Sequence, residues 1–179
     1  MQKKTLELFL ISKYNDSMQF IFILLLTLFS SNIKGEDLKE LIFSGSDITS
    51  VKSFELSNKN KFSSFEVSGS WTDNYGNYGL NSCMGIINKN LKNIELNFMC
   101  ERVDKNGYKI WSLNKRISGI KESGVGSYEI VDATIPKKEL FIGKKCMYAV
   151  KYLENTNFYK SKCKISKELA KVFEKIASE

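Results

Sequence analysis

Residues 83–100 read CMGIINKNLKNIELNFMC, and residues 146–163 read CMYAVKYLENTNFYKSKC. Each stretch begins and ends with a cysteine, and these four are the only cysteines of the chain. In both stretches the two cysteines are seventeen positions apart. An antiparallel hairpin folded about the middle of such a stretch places its two cysteines directly opposite each other. Each stretch therefore predicts one β-hairpin.

Pairing the cysteines of the first stretch sets the register of its whole hairpin. The pairing places opposite one another Gly85 and Phe98, Ile87 and Leu96, and Lys89 and Ile94. The face that carries the cysteines is then almost entirely apolar, whereas the other face is largely polar. Because a slip of one residue would mix the two faces, the residue pattern supports this register.

The second stretch follows the same logic, with its turn at residues 154–155. These two residues, Glu and Asn, lie within a polar ENTN segment that suits a tight turn. The resulting pairs are Tyr148 with Ser161, Val150 with Tyr159, and Tyr152 with Asn157. The cysteine face carries three tyrosines and a valine, and the opposite face carries lysines, so we expect one buried and one wet face.

Directly opposed cysteines are within reach of a disulfide, because the Cα atoms of a non-hydrogen-bonded pair lie about 4.5 Å apart. We therefore predict the bridges Cys83–Cys100 and Cys146–Cys163. Four cysteines allow three pairings, and four buried free thiols are the alternative. A zinc site would need all four cysteines at an untypical spacing, so we predict no metal site.

The rest of the domain also reads as strands. Residues 65–72 alternate between apolar and polar with a period of two. Further strands are expected at residues 48–56, 108–113 and 126–131. Turn or loop chemistry is expected at residues 73–79, 104–107 and 115–123. Together with the two hairpins this makes about eight strands, which predicts a mainly β fold, an antiparallel eight-stranded barrel or a sandwich.

The C-terminal residues follow a helical period instead. Ser166 is a suitable N-cap, and one helical stripe carries Leu169, Val172, Phe173 and Ile176. This predicts an amphipathic helix that covers one side or end of the sheet, with a partner-binding role as the alternative. We also expect a short helix at residues 36–43.

The first 35 residues read as a secretory signal peptide. Residues 18–29, MQFIFILLLTLF, carry no charge. This length fits the hydrophobic region of a signal peptide, whereas a membrane span needs about 20 residues. Met18 offers an alternative start, and an uncleaved amphipathic anchor is the alternative role.

The predicted organisation is a signal peptide over residues 1–35, a barrel domain over 36–165 and a helix over 166–179. We expect the mature protein to be secreted or periplasmic, where disulfides form, and to have no stable membrane span after cleavage of the signal peptide.

Composition excludes several classes of function. None of the 179 residues is a histidine, which excludes Ser-His-Asp and Cys-His catalysis and histidine metal sites. The net charge of +7 comes from evenly spread lysines, and only two basic residues are arginines, so we expect no nucleic-acid partner. The chain contains no phosphate-binding loop, dinucleotide fingerprint or nucleophile elbow, and we predict no cofactor and no catalytic residue.

A ligand site is predicted inside the barrel, where aromatic side chains face inward. An eight-stranded barrel either fills its interior with side chains or holds one small ligand. Inward tyrosines need partners for their hydroxyls, and several together suit an amphipathic ligand. The candidate lining residues are Phe65, Trp71, Asp73, Phe98, Tyr148, Tyr152 and Tyr159. The alternative is a tyrosine-rich core that is satisfied by its own polar atoms and by water.

The two arginines stand out in a chain that otherwise uses lysine. A planar guanidinium suits a fixed partner, so we expect Arg102 or Arg116 to form an ion pair with Asp73 or Glu101 across strands. A catalytic role for either carboxylate is the alternative.

Two short segments resemble known barrel families. The run from Gly124 to Tyr148, GVGSYEIVDATIPKKELFIGKKCMY, resembles a turn-containing segment of small barrels such as the allene oxide cyclase and dirigent group, with residues 133–137 in place of its glycines. The tripeptide at residues 69–71, Gly-Ser-Trp, resembles the Gly-x-Trp motif of lipocalins. These resemblances imply a small antiparallel barrel and carry over no catalytic residue.

Three functions follow, in order of preference. The first is an exported barrel that holds a small apolar or amphipathic molecule in a dry cavity of about 300 Å³ or more. The second is a non-enzymatic envelope or inhibitor-type interaction protein that uses the loops at residues 73–79 and 115–123. The third is a cyclase- or isomerase-like enzyme working through a carboxylate and a tyrosine, which requires a raised carboxylate pKa inside a cleft.

Overall fold

The strands and the helix of the domain come from a computed structural model that describes residues 38–57, 61–89 and 94–179. The strands are β1 (Lys39–Glu55), β2 (Lys61–Asp73), β3 (Tyr78–Lys89), β4 (Ile94–Asp104), β5 (Lys109–Arg116), β6 (Gly124–Ala133), β7 (Lys145–Leu153) and β8 (Thr156–Ile165). One helix, α1 (Lys167–Ser178), follows them. The predicted signal peptide lies outside the described residues and stays a prediction.

The eight strands form a closed barrel. Each strand pairs antiparallel with the next one in the chain, and β1 pairs with β8 to close the circle. Closure leaves no unpaired sheet edge, so both faces of the sheet are defined as inside and outside. The mainly β fold is confirmed, and it is a barrel rather than a sandwich.

Both hairpins have the predicted register. In β3 and β4, Cys83 lies opposite Cys100 with a Cα–Cα distance of 4.0 Å, and every pair predicted between these strands is present. In β7 and β8, Cys146 lies opposite Cys163 at 4.6 Å, again with all predicted pairs. Both disulfides are formed, which indicates an oxidising, extracytoplasmic environment.

Helix α1 closes one end of the barrel. It begins as predicted, because the Ser166 hydroxyl accepts a hydrogen bond of 3.2 Å from the amide of Leu169. Its apolar stripe is buried in the barrel core, where the Phe173 ring packs against Phe43 and Phe141. The helix therefore completes the hydrophobic core at this end.

Two strand-connecting loops also hold the helix. The Asn77 side-chain amide donates a hydrogen bond of 3.1 Å to the carbonyl of Phe173. The Asn106 side-chain amide donates one of 3.2 Å to the carbonyl of Ile176. These loops connect β2 to β3 and β4 to β5, so they fix the helix to two neighbouring parts of the same rim.

The helix expected at residues 36–43 is wrong, because Lys39 to Phe43 already belong to β1. Leu41 and Phe43 alternate with more exposed residues, and both are fully buried. They pair with residues of β8, so tertiary pairing outweighs the local preference of this short segment. In the described residues, no helix is long and apolar enough to cross a membrane.

Removal of either disulfide should destabilise the domain. Each bridge closes a loop of seventeen residues, so its loss should lower the free energy of unfolding by about 3 kcal/mol. Urea denaturation of the Cys83→Ser/Cys100→Ser and Cys146→Ser/Cys163→Ser variants measures this loss. Peptide mapping under non-reducing conditions should yield these two bridges alone, and any mixed pairing would contradict the fold.

Truncation of the central helix side chain should be equally severe. Phe173→Ala should lower the free energy of unfolding by about 3–5 kcal/mol, because it leaves a cavity among buried aromatic rings. Lys171→Ala, on the exposed side of the same helix, is the control and should change little. An equal effect of the two substitutions in urea denaturation would show that the helix does not pack as described.

Candidate functional site

A cavity of about 60 Å³ lies inside the barrel. Its lining comes from all eight strands and from the loop between β5 and β6, whereas α1 belongs to the apolar cluster at the closed end. The polar lining residues are Asp47, Asn81, Arg102, Asn114, Arg116, Tyr128, Tyr148, Tyr152, Asn157 and Tyr159. The apolar lining residues are Phe65, Val67, Cys83, Leu96, Phe98, Cys100, Ile120 and Val150.

Five of the seven predicted lining residues meet at this cavity. They are Phe65, Phe98, Tyr148, Tyr152 and Tyr159. Trp71 instead packs edge-on against Phe43 in the cluster beneath α1, with 5.4 Å between ring centroids. Asp73 closes the turn after β2, where its carboxylate accepts hydrogen bonds from the amides of Tyr75 and Asn77. Both residues lie at the end of the barrel that α1 closes. The prediction gave their inward face correctly, but it did not give their height along the barrel.

The cavity is smaller than the 300 Å³ expected from the sequence, and it is more polar. Long side chains that the residue pattern did not assign to the interior occupy much of the space. One of these side chains is Arg102, whose guanidinium lies among the rings of Phe43, Tyr128 and Tyr159. The expectation of a dry cavity bordered by Trp71 is therefore wrong.

Cross-strand pairing aligns a row of polar residues around the interior. The row runs over five neighbouring strands through the paired positions Asn157, Asp47, Gly69, Asn81 and Arg102. Gly69 leaves room for its neighbour, because a Cβ atom there would lie 2.5 Å from a carboxylate oxygen of Asp47. The register set by the hairpins thus brings one acid, two amides and one guanidinium to the same level.

Asp47 is the carboxylate of the cavity, and it is only 4% exposed. One of its oxygens, Oδ2, accepts a hydrogen bond of 3.2 Å from the Asn81 side chain, while Oδ1 has no partner. Burial raises the pKa of Asp47 to about 6, although the Asn81 hydrogen bond and the charge of Arg102 both lower it. The group therefore changes its charge close to neutral pH.

Arg102 is buried without an ion pair in the described part of the chain. Its Cζ atom lies 4.9 Å from the centroid of the Phe43 ring and 5.4 Å from that of Tyr128, so aromatic rings cover the guanidinium. Its Nε and Nη1 groups have no hydrogen-bond partner. A buried cation with two free donors is costly unless something else occupies the site.

The ion pair predicted between an arginine and Asp73 or Glu101 is wrong. Glu101 lies on the outer face, where it pairs with Lys109 at 3.2 Å and accepts a hydrogen bond from Trp111. Adjacent residues of a strand face opposite sides, so Glu101 and Arg102 cannot share a face. The carboxylate that interacts electrostatically with Arg102 is instead that of Asp47.

Arg116 holds the loop at residues 117–123 over the end of the barrel opposite α1. Its Nη2 atom lies 2.9 Å from the carbonyl oxygen of Gly119 and 3.3 Å from that of Ile120. It also lies 3.4 Å from the hydroxyl of Tyr152. The Ile120 side chain packs against the apolar cluster of this end, so the loop covers the cavity.

Two tyrosines present buried hydroxyls to the cavity. Among the described residues the Tyr148 hydroxyl has no hydrogen-bond partner, whereas the Tyr159 hydroxyl interacts with the Arg102 guanidinium without forming a hydrogen bond of good geometry. Burial raises the pKa of both groups, so they remain protonated and can donate. Each ring lies over a glycine of a neighbouring strand, Gly126 and Gly45 respectively, where any Cβ atom would clash with it.

A sequence signal existed for two of the polar residues that the prediction missed, Arg102 and Asn81. Arg102 has the same strand parity as Cys100, which places it inside. Asp47 shares the parity of Phe43, but the strand was expected to begin only at residue 48, so its direction was not considered. Asn81 precedes Cys83 by two positions and is inward for the same reason.

No protein-family model, curated protein or solved structure matches this chain. Within the described ranges, no group of three or more acidic or cysteine side chains could hold a metal ion. What the arrangement offers chemically is a small space inside the barrel, lined by apolar side chains and by several buried donors and acceptors.

The titration of Asp47 should make stability depend on pH. Its pKa rises from 3.8 to about 6 on folding, so the folded protein binds more protons between these values. The contribution of Asp47 to the free energy of unfolding should therefore fall as the pH rises from 4 to 7, by about 2 kcal/mol.

Asp47→Asn cannot ionise, so this variant should lose that part of the pH dependence and be more stable than the parent at pH 7. Urea denaturation at pH 4, 5, 6 and 7 measures the difference between the two proteins. Glu129→Gln, which removes an exposed carboxylate from the outer face, is the control for loss of a charge. A parent and an Asp47→Asn variant with the same pH profile would contradict the burial of this carboxylate.

Proposed function

We propose that this protein is a binding module whose barrel holds one small amphipathic molecule. The observation that supports this proposal most is a cavity whose polar side offers several buried atoms without partners. The same lining contains apolar residues that cluster around Phe65, Leu96 and Phe98. An occupant with a polar and an apolar part would match both kinds of lining.

The unpaired atoms are expensive for an empty barrel. They include the hydroxyls of Tyr148 and Tyr159, one oxygen of Asp47, and nitrogens of Arg102 and Arg116. A buried polar group without a hydrogen bond costs about 1–3 kcal/mol, and a charged group costs more. A tyrosine-rich core that had evolved only for packing would not keep so many such groups at one place, and water or a ligand must satisfy them.

The size of the cavity limits the occupant. Each buried water needs about 10–15 Å³ of cavity volume, so a cavity of about 60 Å³ holds about four to six waters. This space corresponds to a molecule of roughly six to ten heavy atoms. The ligand is thus smaller than the molecules for which a 300 Å³ cavity is needed.

The compartment follows from the disulfides and the first 35 residues. Two disulfides fit an oxidising environment, and the uncharged run at residues 18–29 fits a secretory signal peptide. We therefore place the binding module outside the cytoplasm, as a secreted or periplasmic protein.

An interaction protein is the second candidate, because one part of the outer wall is apolar. Met84, Met99 and Leu113 pair across β3, β4 and β5 and are 65%, 41% and 40% exposed. A continuous exposed apolar row is a feature of interaction surfaces. An enzyme gains no such support, because Asp73 is engaged in its own turn and Glu101 lies outside the barrel.

Native mass spectrometry tests the proposed function. The purified protein should carry one non-covalent molecule of roughly 80–150 Da, visible as the difference between its native and denatured masses. Saturation-transfer NMR with a mixture of small amphipathic molecules covers the case in which purification has removed the ligand. A protein with no added mass and no transfer to any molecule would overturn the proposal and favour the second candidate.

The double variant Tyr148→Phe/Tyr159→Phe separates binding from structure. Loss of the two hydroxyls should weaken ligand binding about tenfold or more, since each can bond to the ligand. It should change the free energy of unfolding little, because the Tyr148 hydroxyl has no partner among the described residues and the Tyr159 hydroxyl has only its interaction with Arg102. Tyr78→Phe, at an exposed position, is the control. A loss of stability without a loss of binding would assign the hydroxyls to the fold.

A further inference from the structure

We infer that the ligand carries an anionic group, a carboxylate being the simplest, which binds to the guanidinium of Arg102. This inference rests on the proposed binding function and adds the chemical class of the ligand. Arg102 is 4% exposed, lines the cavity and leaves two of its nitrogen donors without partners.

The guanidinium of Arg102 is surrounded by aromatic rings. The centroids of Phe43 and Tyr128 lie 4.9 and 5.4 Å from Cζ. The Nε and Nη1 groups, which have no partner among the described residues, can each donate a charge-assisted hydrogen bond to an anionic oxygen. In a chain that uses lysine almost everywhere, an arginine at this buried position therefore points to recognition of an anion.

The charges inside the cavity favour an anion over a cation. Among the described residues, three charged side chains line it, namely Arg102, Arg116 and Asp47, and when all three are ionised they carry one excess positive charge. Removing such a charge from water is costly unless an opposite charge accompanies it. A bound anion would restore neutrality, whereas a cation attracted by Asp47 would face two arginines in the same small space.

The free donors of the tyrosines point to the same class. The hydroxyls of Tyr148 and Tyr159 belong to the same lining as Arg102, and both can donate to anionic oxygens. The apolar wall at Phe65 and Phe98 would then receive the rest of the molecule. With room for roughly six to ten heavy atoms, the geometry indicates a small aryl or short alkyl carboxylate.

Isothermal titration calorimetry with three matched compounds tests the charge of the ligand. Phenylacetate, phenylacetamide and phenethylamine share a ring and differ in an anionic, a neutral and a cationic end. At pH 7.5 the purified parent protein should bind phenylacetate about 10- to 100-fold more tightly than phenylacetamide, and phenethylamine least tightly.

Two substitutions should change this preference in opposite directions. Arg102→Met should abolish the advantage of phenylacetate over phenylacetamide, because it removes the guanidinium and keeps much of the side-chain volume. Asp47→Asn should increase the advantage, because it removes the only negative charge of the cavity. Lys115→Met removes a cation from the outer face of β5 and should leave the preference as it is in the parent.

The outcomes separate this inference from the proposed function. If phenylacetamide or phenethylamine binds as tightly as phenylacetate, the inference is overturned and binding inside the barrel stands. If a molecule found by native mass spectrometry is neutral or cationic, the inference of an anionic ligand is likewise overturned and binding inside the barrel stands. If none of the three compounds binds and no molecule is found in the native protein, both fall. Should Arg102→Met fail to fold, the three compounds and Asp47→Asn still decide the matter.

Discussion

The register of the barrel is the constraint on which the interior depends. Two cysteine pairs hold two hairpins so that Cys83 faces Cys100 and Cys146 faces Cys163. Because strand residues alternate between faces, this register decides for every position of these strands whether it lies inside or outside. A slip by one residue would turn Arg102 into the solvent and bring exposed methionines into the core. The disulfides therefore protect the arrangement of a polar site, besides adding stability to a small domain.

A polar layer inside a barrel is costly where apolar clusters close both ends, because unpaired polar groups lose their contact with water. Helix α1 completes one apolar cluster, and the loop carrying Ile120 completes another at the opposite end. Between them lie charged and amide groups that a protein of this size would not bury for stability alone. Replacement of buried ionic groups by well-packed apolar residues is often neutral or stabilising, so selection for stability would remove them. Their presence between the two apolar clusters is the observation on which the proposed binding function rests.

The sequence allowed the fold to be predicted further than the site. Hairpin registers, both bridges and the capped helix follow from patterns that are local in the chain, since residue parity and the cysteine interval determine them. Parity indicates the face of a residue but not its height along the barrel, so Trp71 was expected at the cavity although it lies beneath the helix. The alignment of Asp47 with Asn81 depends on pairing among β1, β2 and β3, which no local pattern specifies. A misplaced start of β1 was enough to hide the only carboxylate of the cavity.

Glycines at paired positions show how the same sheet accommodates both the fold and the site. Tyr148 and Tyr159 each lie across a glycine of the next strand, and the carboxylate of Asp47 lies across another. A larger residue at any of these positions would push the polar group towards the middle and close the cavity. The glycines thus weaken the strands locally, since they provide no side chain for packing. The same glycines leave space for a small cavity, which the tyrosine hydroxyls, Asp47 and Arg102 surround. A barrel selected only for a filled core would not need this cavity.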